Sequence, residues 1–176
     1  MIPLGSPAPE FDLPTIRGEN VTLDTFKDKK ALVVIFMCNH CPYVLHVLPG
    51  LVDLANDYKE ANVAFIGINS NDAESHPEDS FKKMKEYADE YGYPFVYAHD
   101  ESQDVAKAYH AACTPDFYVF NEKRELVYRG QMDDSRPGNR IEVTGRDLRA
   151  AIEAVLKDKE VDQQQKPSTG CSIKWK

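Results

Sequence analysis

The sequence predicts an α/β domain built on an open, mixed β-sheet with helices on both faces. Three observations carry this. Leu32 to Met37 and Val63 to Ile68 are continuously apolar, as strands covered on both faces are. Around them, apolar residues recur at helical spacing. Late in the chain, Phe117 to Phe120 and Leu126 to Tyr128 flank Asn121-Glu122-Lys123-Arg124, the pattern of an antiparallel hairpin.

Taken in order, residues 3–14 hold four prolines and read as an extended arm. Asp12 to Thr15 and Asn20 to Leu23 then flank Arg17-Gly18-Glu19, a hairpin with Gly18 at its turn. The apolar strand from Leu32 runs into Cys38-Asn39-His40-Cys41-Pro42. Beyond it Val44, Leu48, Leu51, Ala55 and Tyr58 are spaced 4, 3, 4 and 3 apart. That stripe predicts one helix from about His40 to Glu60, kinked at Pro49. Pro42 falls in its first turn, where a missing N–H costs little.

After the strand at Val63 come the turn-rich Asn69-Ser70-Asn71-Asp72 and a helix start at His76-Pro77-Glu78-Asp79. Phe81, Met84, Ala88 and Tyr91 share one helix face, and Gly92 ends it. Phe95 to Ala98 reads as a short strand and Gln103 to His110 as a short helix. Thr144-Gly145-Arg146-Asp147 is close to a capping box, opening a helix with Leu148, Ile152 and Val155 inward. The predicted division is a domain over residues 1–158 and a polar, mobile tail over 159–176. Parallel strands joined by helical crossovers, closed by an antiparallel pair, give the mixed sheet.

At 176 residues the chain makes one domain that buries roughly 70% of its unfolded surface. Twenty-one basic against 29 acidic residues leave a net charge of −8, which argues against nucleic-acid or anionic-membrane partners. The first residues lack the basic and apolar regions of a signal peptide, and the expected location is the cytoplasm. Four cysteines are too few for a disulfide scaffold. A Cys-x-x-Cys pair after a buried strand is a redox signature in such a setting. The alternative is half a zinc site, with Cys113 and either Cys171 or a histidine supplying the rest.

Two thiols three positions apart at a helix start can close a disulfide with little backbone movement. Cys38 is expected at the helix amino terminus, where unpaired N–H groups favour a thiolate with a pKa well under about 8.5. A protonated His40 would lower it further. Cys41, one turn deeper, is expected to be the more shielded, resolving thiol.

The lead-in Gly5-Ser6-Pro7-Ala8-Pro9-Glu10-Phe11-Asp12-Leu13-Pro14 resembles the opening of the peroxiredoxin-like branch of the thioredoxin superfamily, which includes the alkyl hydroperoxide reductase and thiol-specific antioxidant family. Cys38 to Cys41 resembles the thioredoxin active site, and Thr114-Pro115 before a hairpin strand resembles its cis-proline loop. The resemblance covers residues 3 to 157. It implies a thioredoxin fold with an N-terminal β-hairpin extension, and a thiol-disulfide oxidoreductase using Cys38 and Cys41. Asn39, His40, Pro42, Thr114 and Pro115 support the pair. Asn39-His40 is closer to the x-His pairs of oxidising members than to the Gly-Pro of thioredoxin, which implies a potential above about −270 mV. The resemblance also implies a cis Pro115 and a Thr114 backbone free to pair with an extended substrate.

A peroxidase is the competing reading, with a redox sensor or metal-binding module as a further one. Peroxiredoxins carry Thr or Ser three residues before a Cys-Pro. Cys41-Pro42 matches the second half, but Cys38 fills the threonine position, which favours dithiol exchange. Cys113 and Cys171 are candidate additional thiols. Cys113 reads first as a small buried side chain. Cys171 would be brought to the site if Ile173 and Trp175 dock. His46 reads as a surface histidine, and Asp133-Asp134-Ser135-Arg136-Pro137 as a solvated loop that could border the site. No organic cofactor and no metal are implied. The expected partners are disulfide-containing proteins or small thiols, with a thiol reductant or oxidant. The expected state is a monomer or weak homodimer.

Overall fold

The computed structural model describes residues 1–176. Strands β1 (Asp12–Pro14) and β2 (Asn20–Thr22) form the amino-terminal hairpin, with Gly18 at φ 96° in its turn. Then follow β3 (Ala31–Phe36), α1 (Pro42–Asp57), β4 (Val63–Asn69), α2 (Phe81–Tyr91), β5 (Val96–His99) and α3 (Asp104–Ala108). The chain continues through β6 (Cys113–Thr114), β7 (Asp116–Phe120), β8 (Leu126–Gly130), α4 (Arg146–Leu156) and β9 (Cys171–Ser172).

The central sheet has five strands in the order β5-β4-β3-β7-β8. β3 runs parallel to β4 and β4 to β5, while β7 is antiparallel to both β3 and β8. All six residues of β3 are buried, so the continuous apolar run is the mark of a strand covered on both faces. Its side chains alternate between two cores. Ala31, Val33 and Ile35 pack with α1, α2 and α4. Leu32, Val34 and Phe36 join α3 and the amino-terminal hairpin. This is the thioredoxin fold with the expected hairpin extension.

Four local expectations are corrected. α1 begins at Pro42, with Cys41 as an N-cap in extended conformation (φ −63°, ψ 129°). Pro77–Asp79 is a separate 3₁₀ turn, and α2 starts after Ser80, whose hydroxyl accepts the Lys83 N–H. The capping box at Thr144 does not form; Gly145 at φ 73° is the N-cap of α4. The fourth is the tail. Residues 159–176 lie along the domain, with the Gln131 N–H donating to Lys166 O (3.0 Å) and the Ile173 N–H to Ala112 O (3.0 Å). The polar composition misled because backbone groups and two buried side chains, Val161 and Ile173, hold the segment; Trp175 stays exposed.

Both chain ends cover the β8 edge. The Gly5 N–H donates to Leu126 O (2.8 Å) and the Leu126 N–H to Ser6 O (2.9 Å). Further along, the Arg129 N–H donates to Gln165 Oε1 (3.1 Å). Gly130 has φ 142°, and a Cβ there would overlap the Lys166 carbonyl. The tail's approach therefore requires glycine at this position.

Candidate active site

The carboxyl end of β3 delivers Cys38, and the start of α1 presents Cys41. Both thiols are buried, at 2% and 5% exposure. The bond between Thr114 and Pro115 is cis, as the resemblance implied. Thr114 faces both sulfurs: its Oγ1 lies 3.6 Å from Cys38 Sγ, and its carbonyl oxygen 3.7 Å from Cys41 Sγ.

The electrostatics of the two thiols differ in direction. Cys38 lies ahead of the helix start, and its pKa is pushed far up. The hydrogen bond it gives Cys41 is the main cause, with burial next and the nearby Asp79 carboxylate contributing. Cys41 is pushed down to about 4, first by the Cys38 hydrogen bond, then by the thiol of Cys171 and the N–H groups of Val44 and Cys171. Val44 is in the first turn of α1, where N–H groups lack intrahelical partners. Within the pair these influences favour negative charge on Cys41 over Cys38. The His40 Nδ1 lies 3.6 Å from Asp79 Oδ2.

Behind the pair is a buried polar network that the sequence did not reveal. Asp79, fully buried, accepts the Asn39 N–H (2.9 Å) and the Asn69 amide (3.2 Å) on Oδ1. Its Oδ2 accepts the Asn71 amide (3.0 Å). The Asn39 side-chain oxygen accepts the Tyr97 hydroxyl (2.8 Å), and its amide donates to Glu78 O (2.7 Å). Asn39 is thus anchored at three points, which fixes the backbone between the cysteines. The only sequence signal was the Asn69-Ser70-Asn71-Asp72 run, and it reads equally well as a turn.

The Thr114 backbone is not free. Cys113–Thr114 pairs antiparallel with Cys171–Ser172, Thr114 facing Cys171 and Cys113 facing Ser172. A Cβ on Gly170 would overlap the Thr114 carbonyl, so the strand lies flush on the loop. Cys171 packs against the core that holds Cys38 and Cys41. Its pKa is pushed up to about 11 by burial and by Cys41. Cys113 is pushed up to about 12, mainly by burial, then by Asp116.

Three neighbours complete the site. Asp116, next to Pro115, is 2% exposed, and burial raises its carboxyl to about 7. His46 is no free surface group, since its Nε2 lies 2.7 Å from Ser135 Oγ. The loop holding Ser135 is folded rather than solvated: Asp133, 3% exposed, accepts the Ser135, Thr144 and Gly145 N–H groups. No group of three or more His, Cys, Asp or Glu side chains gathers in metal-binding geometry, and no helix is long and apolar enough to cross a membrane.

Residues 3–148 fit the Redoxin family profile. The chain belongs to the Redoxin family. Among Redoxin relatives it is 28% identical over 123 residues to thiol-disulfide oxidoreductase ResA of Halalkalibacterium halodurans, covering 70% of this chain and 65% of that protein. It is 31% identical over 103 residues to the chloroplastic peroxiredoxin Q of Triticum aestivum, covering 58% and 44%. The chain spans less than two thirds of the length of either relative. A crystal structure of an uncharacterized conserved protein from Geobacillus kaustophilus superposes with TM-score 0.98 at 57% identity, covering all of this chain and 94% of that one. The thioredoxin domain of a Bacteroides vulgatus thiol-disulfide oxidoreductase superposes with TM-score 0.65 at 20% identity, covering 76% and 92%. That likeness concerns the fold. Both named relatives of known type are oxidoreductases.

Proposed function

We propose that this protein is a thiol-disulfide oxidoreductase that carries two electrons on the Cys38–Cys41 pair. One observation supports the reading above others: both thiols converge on Thr114 of the cis-proline loop, with no metal-binding cluster beside them. The Cys41 thiolate attacks a partner disulfide, forming a mixed disulfide and expelling one partner thiolate. Cys38 gives up its proton and attacks the Cys41 sulfur, the second partner thiolate leaves, and the Cys38–Cys41 disulfide remains. A thiol reductant returns the electron pair, and the reverse sequence oxidises a dithiol. The substrates proposed are disulfides of proteins or small thiols.

A redox titration with mass mapping tests this. The expected result is one reversible two-electron couple on Cys38–Cys41, with turnover of a model disulfide that is lost in Cys41→Ser. A pair that stays reduced in excess disulfide overturns the reading.

Peroxide reduction is a second reading, favoured by the thiolate on Cys41 with Pro42 following it. Peroxide consumption lost in Cys41→Ser but kept in Cys38→Ser would put this reading first.

A further inference from the structure

The geometry points to Cys171 as a third redox-active thiol, delivered to Cys41 by a carboxyl-terminal strand that occupies the place of an extended substrate. This rests on the dithiol reading above. Three independent features build the arrangement. The backbone of Thr114, which in an exchange enzyme would pair with a substrate strand, is paired with Cys171. Gly170 lies so close to the Thr114 carbonyl that no side chain fits between them. The Ile173 side chain is 3% exposed, and its N–H donates to Ala112 O. Together they fix Cys171 opposite Thr114, whose carbonyl oxygen is 3.7 Å from Cys41 Sγ, and against the core that holds Cys41.

The step is an exchange within one chain. In the oxidised protein the Cys171 thiolate attacks the Cys41 sulfur, forming a Cys41–Cys171 bond. The Cys38–Cys41 bond breaks, and Cys38 leaves as a thiolate that takes up the proton lost by Cys171. No electrons are gained or lost. One disulfide isomer is converted into another, in which the tail is covalently fixed over the site and Cys38 is a free thiol. In the reverse direction Cys38 attacks Cys41 and releases the tail. The strand holds the attacking sulfur beside its target, so the step is unimolecular and competes well with millimolar external thiols.

The test uses full-length Cys38→Ser protein equilibrated with reduced and oxidised glutathione, alkylated and mapped by mass. The expected product is an intramolecular Cys41–Cys171 disulfide formed at the expense of the Cys41–glutathione adduct. Adding Gly170→Val is expected to lower the effective concentration of Cys171 by about tenfold or more. A persistent glutathione adduct on Cys41 with Cys171 free, or Cys171 found only in disulfides between chains, overturns the proposal. The wild-type protein mapped across the same potentials is a second measurement, expected to show both Cys38–Cys41 and Cys41–Cys171. Cys38–Cys41 alone overturns the role of the tail and leaves the dithiol reading standing. Failure of Cys38–Cys41 to form reversibly overturns the dithiol reading itself.

Discussion

Thr114 faces Cys171 across a two-residue antiparallel pairing, and the same Thr114 lies 3.6 Å and 3.7 Å from the sulfurs of Cys38 and Cys41. One residue therefore joins the tail to the dithiol. The tail must leave this edge before an extended partner can pair with it, because a strand edge offers each backbone group to one neighbour at a time. Tail detachment and partner docking are thus linked equilibria.

The first expected outcome concerns that detachment. Gly130→Ala places a Cβ where the Lys166 carbonyl lies, lifting the tail at its midpoint while leaving the dithiol in place. Limited proteolysis should cut within residues 163–170 several times faster than in the wild type. An unchanged cleavage rate would mean that the tail is held by its end alone.

The location of the thiolate is measurable. Ultraviolet thiolate absorbance should titrate in the reduced protein well below about pH 8.5. The low-pH transition should vanish in Cys41→Ser. In Cys38→Ser it should persist at a higher pH than in the wild type, since the hydrogen bond from Cys38 is the largest influence lowering Cys41. Retention of the low transition in Cys41→Ser would assign the charge to Cys38.

Asp79→Ala removes the acceptor for the Asn39 N–H and the amides of Asn69 and Asn71. Leaving these buried donors unpaired should cost about 3 kcal/mol or more, read as a lower urea midpoint. Asp79→Asn should cost less. It should also lower the Cys38 pKa, because the carboxylate is one of the influences raising it. A Cys38 titration that does not move would remove Asp79 from the electrostatics of the pair.

Asp116 is expected to make stability depend on pH. Its carboxyl titrates at about 7 when folded because of burial, against about 3.9 for an exposed aspartate. The native state therefore binds the proton more tightly, and its contribution to stability is full below about pH 4 and lost as pH rises through about 7. The penalty at high pH is at most about 4 kcal/mol for a shift of this size. Asp116→Asn should flatten the thermal-stability profile across this window and raise the midpoint above about pH 8. A profile parallel to the wild type would assign the pH dependence elsewhere.

Much of the architecture was legible because periodicity reports burial. The unbroken run at Leu32 marked a strand covered twice, and the stripe from Val44 to Tyr58 marked the inner face of α1. The stripe could not locate the first helical residue, however. That depends on the extended backbone of Cys41, and a shift of two residues decides which sulfur meets the free N–H groups. Cys38, Cys41, Thr114 and Pro115 do come together. Asp79 stayed hidden because its partners are asparagines in what looks like a turn, and side-chain type says nothing about a carboxylate 40 positions away. The tail's docking could be raised from Ile173 and Cys171, but its path could not be read, because Gly130 and Gly170 work by having no side chain.

The anchoring of Asn39 bears on how the dipeptide between the cysteines can be re-engineered. Positions 39 and 40 both lie between the two cysteines. Here they are unequal. Asn39 is fully buried and tied to Asp79, Glu78 and Tyr97, whereas the His40 side chain is 41% exposed. A Gly-Pro graft would therefore alter packing and potential simultaneously, and a potential measured on it would mix the two effects. Substitution at position 40 alone separates them.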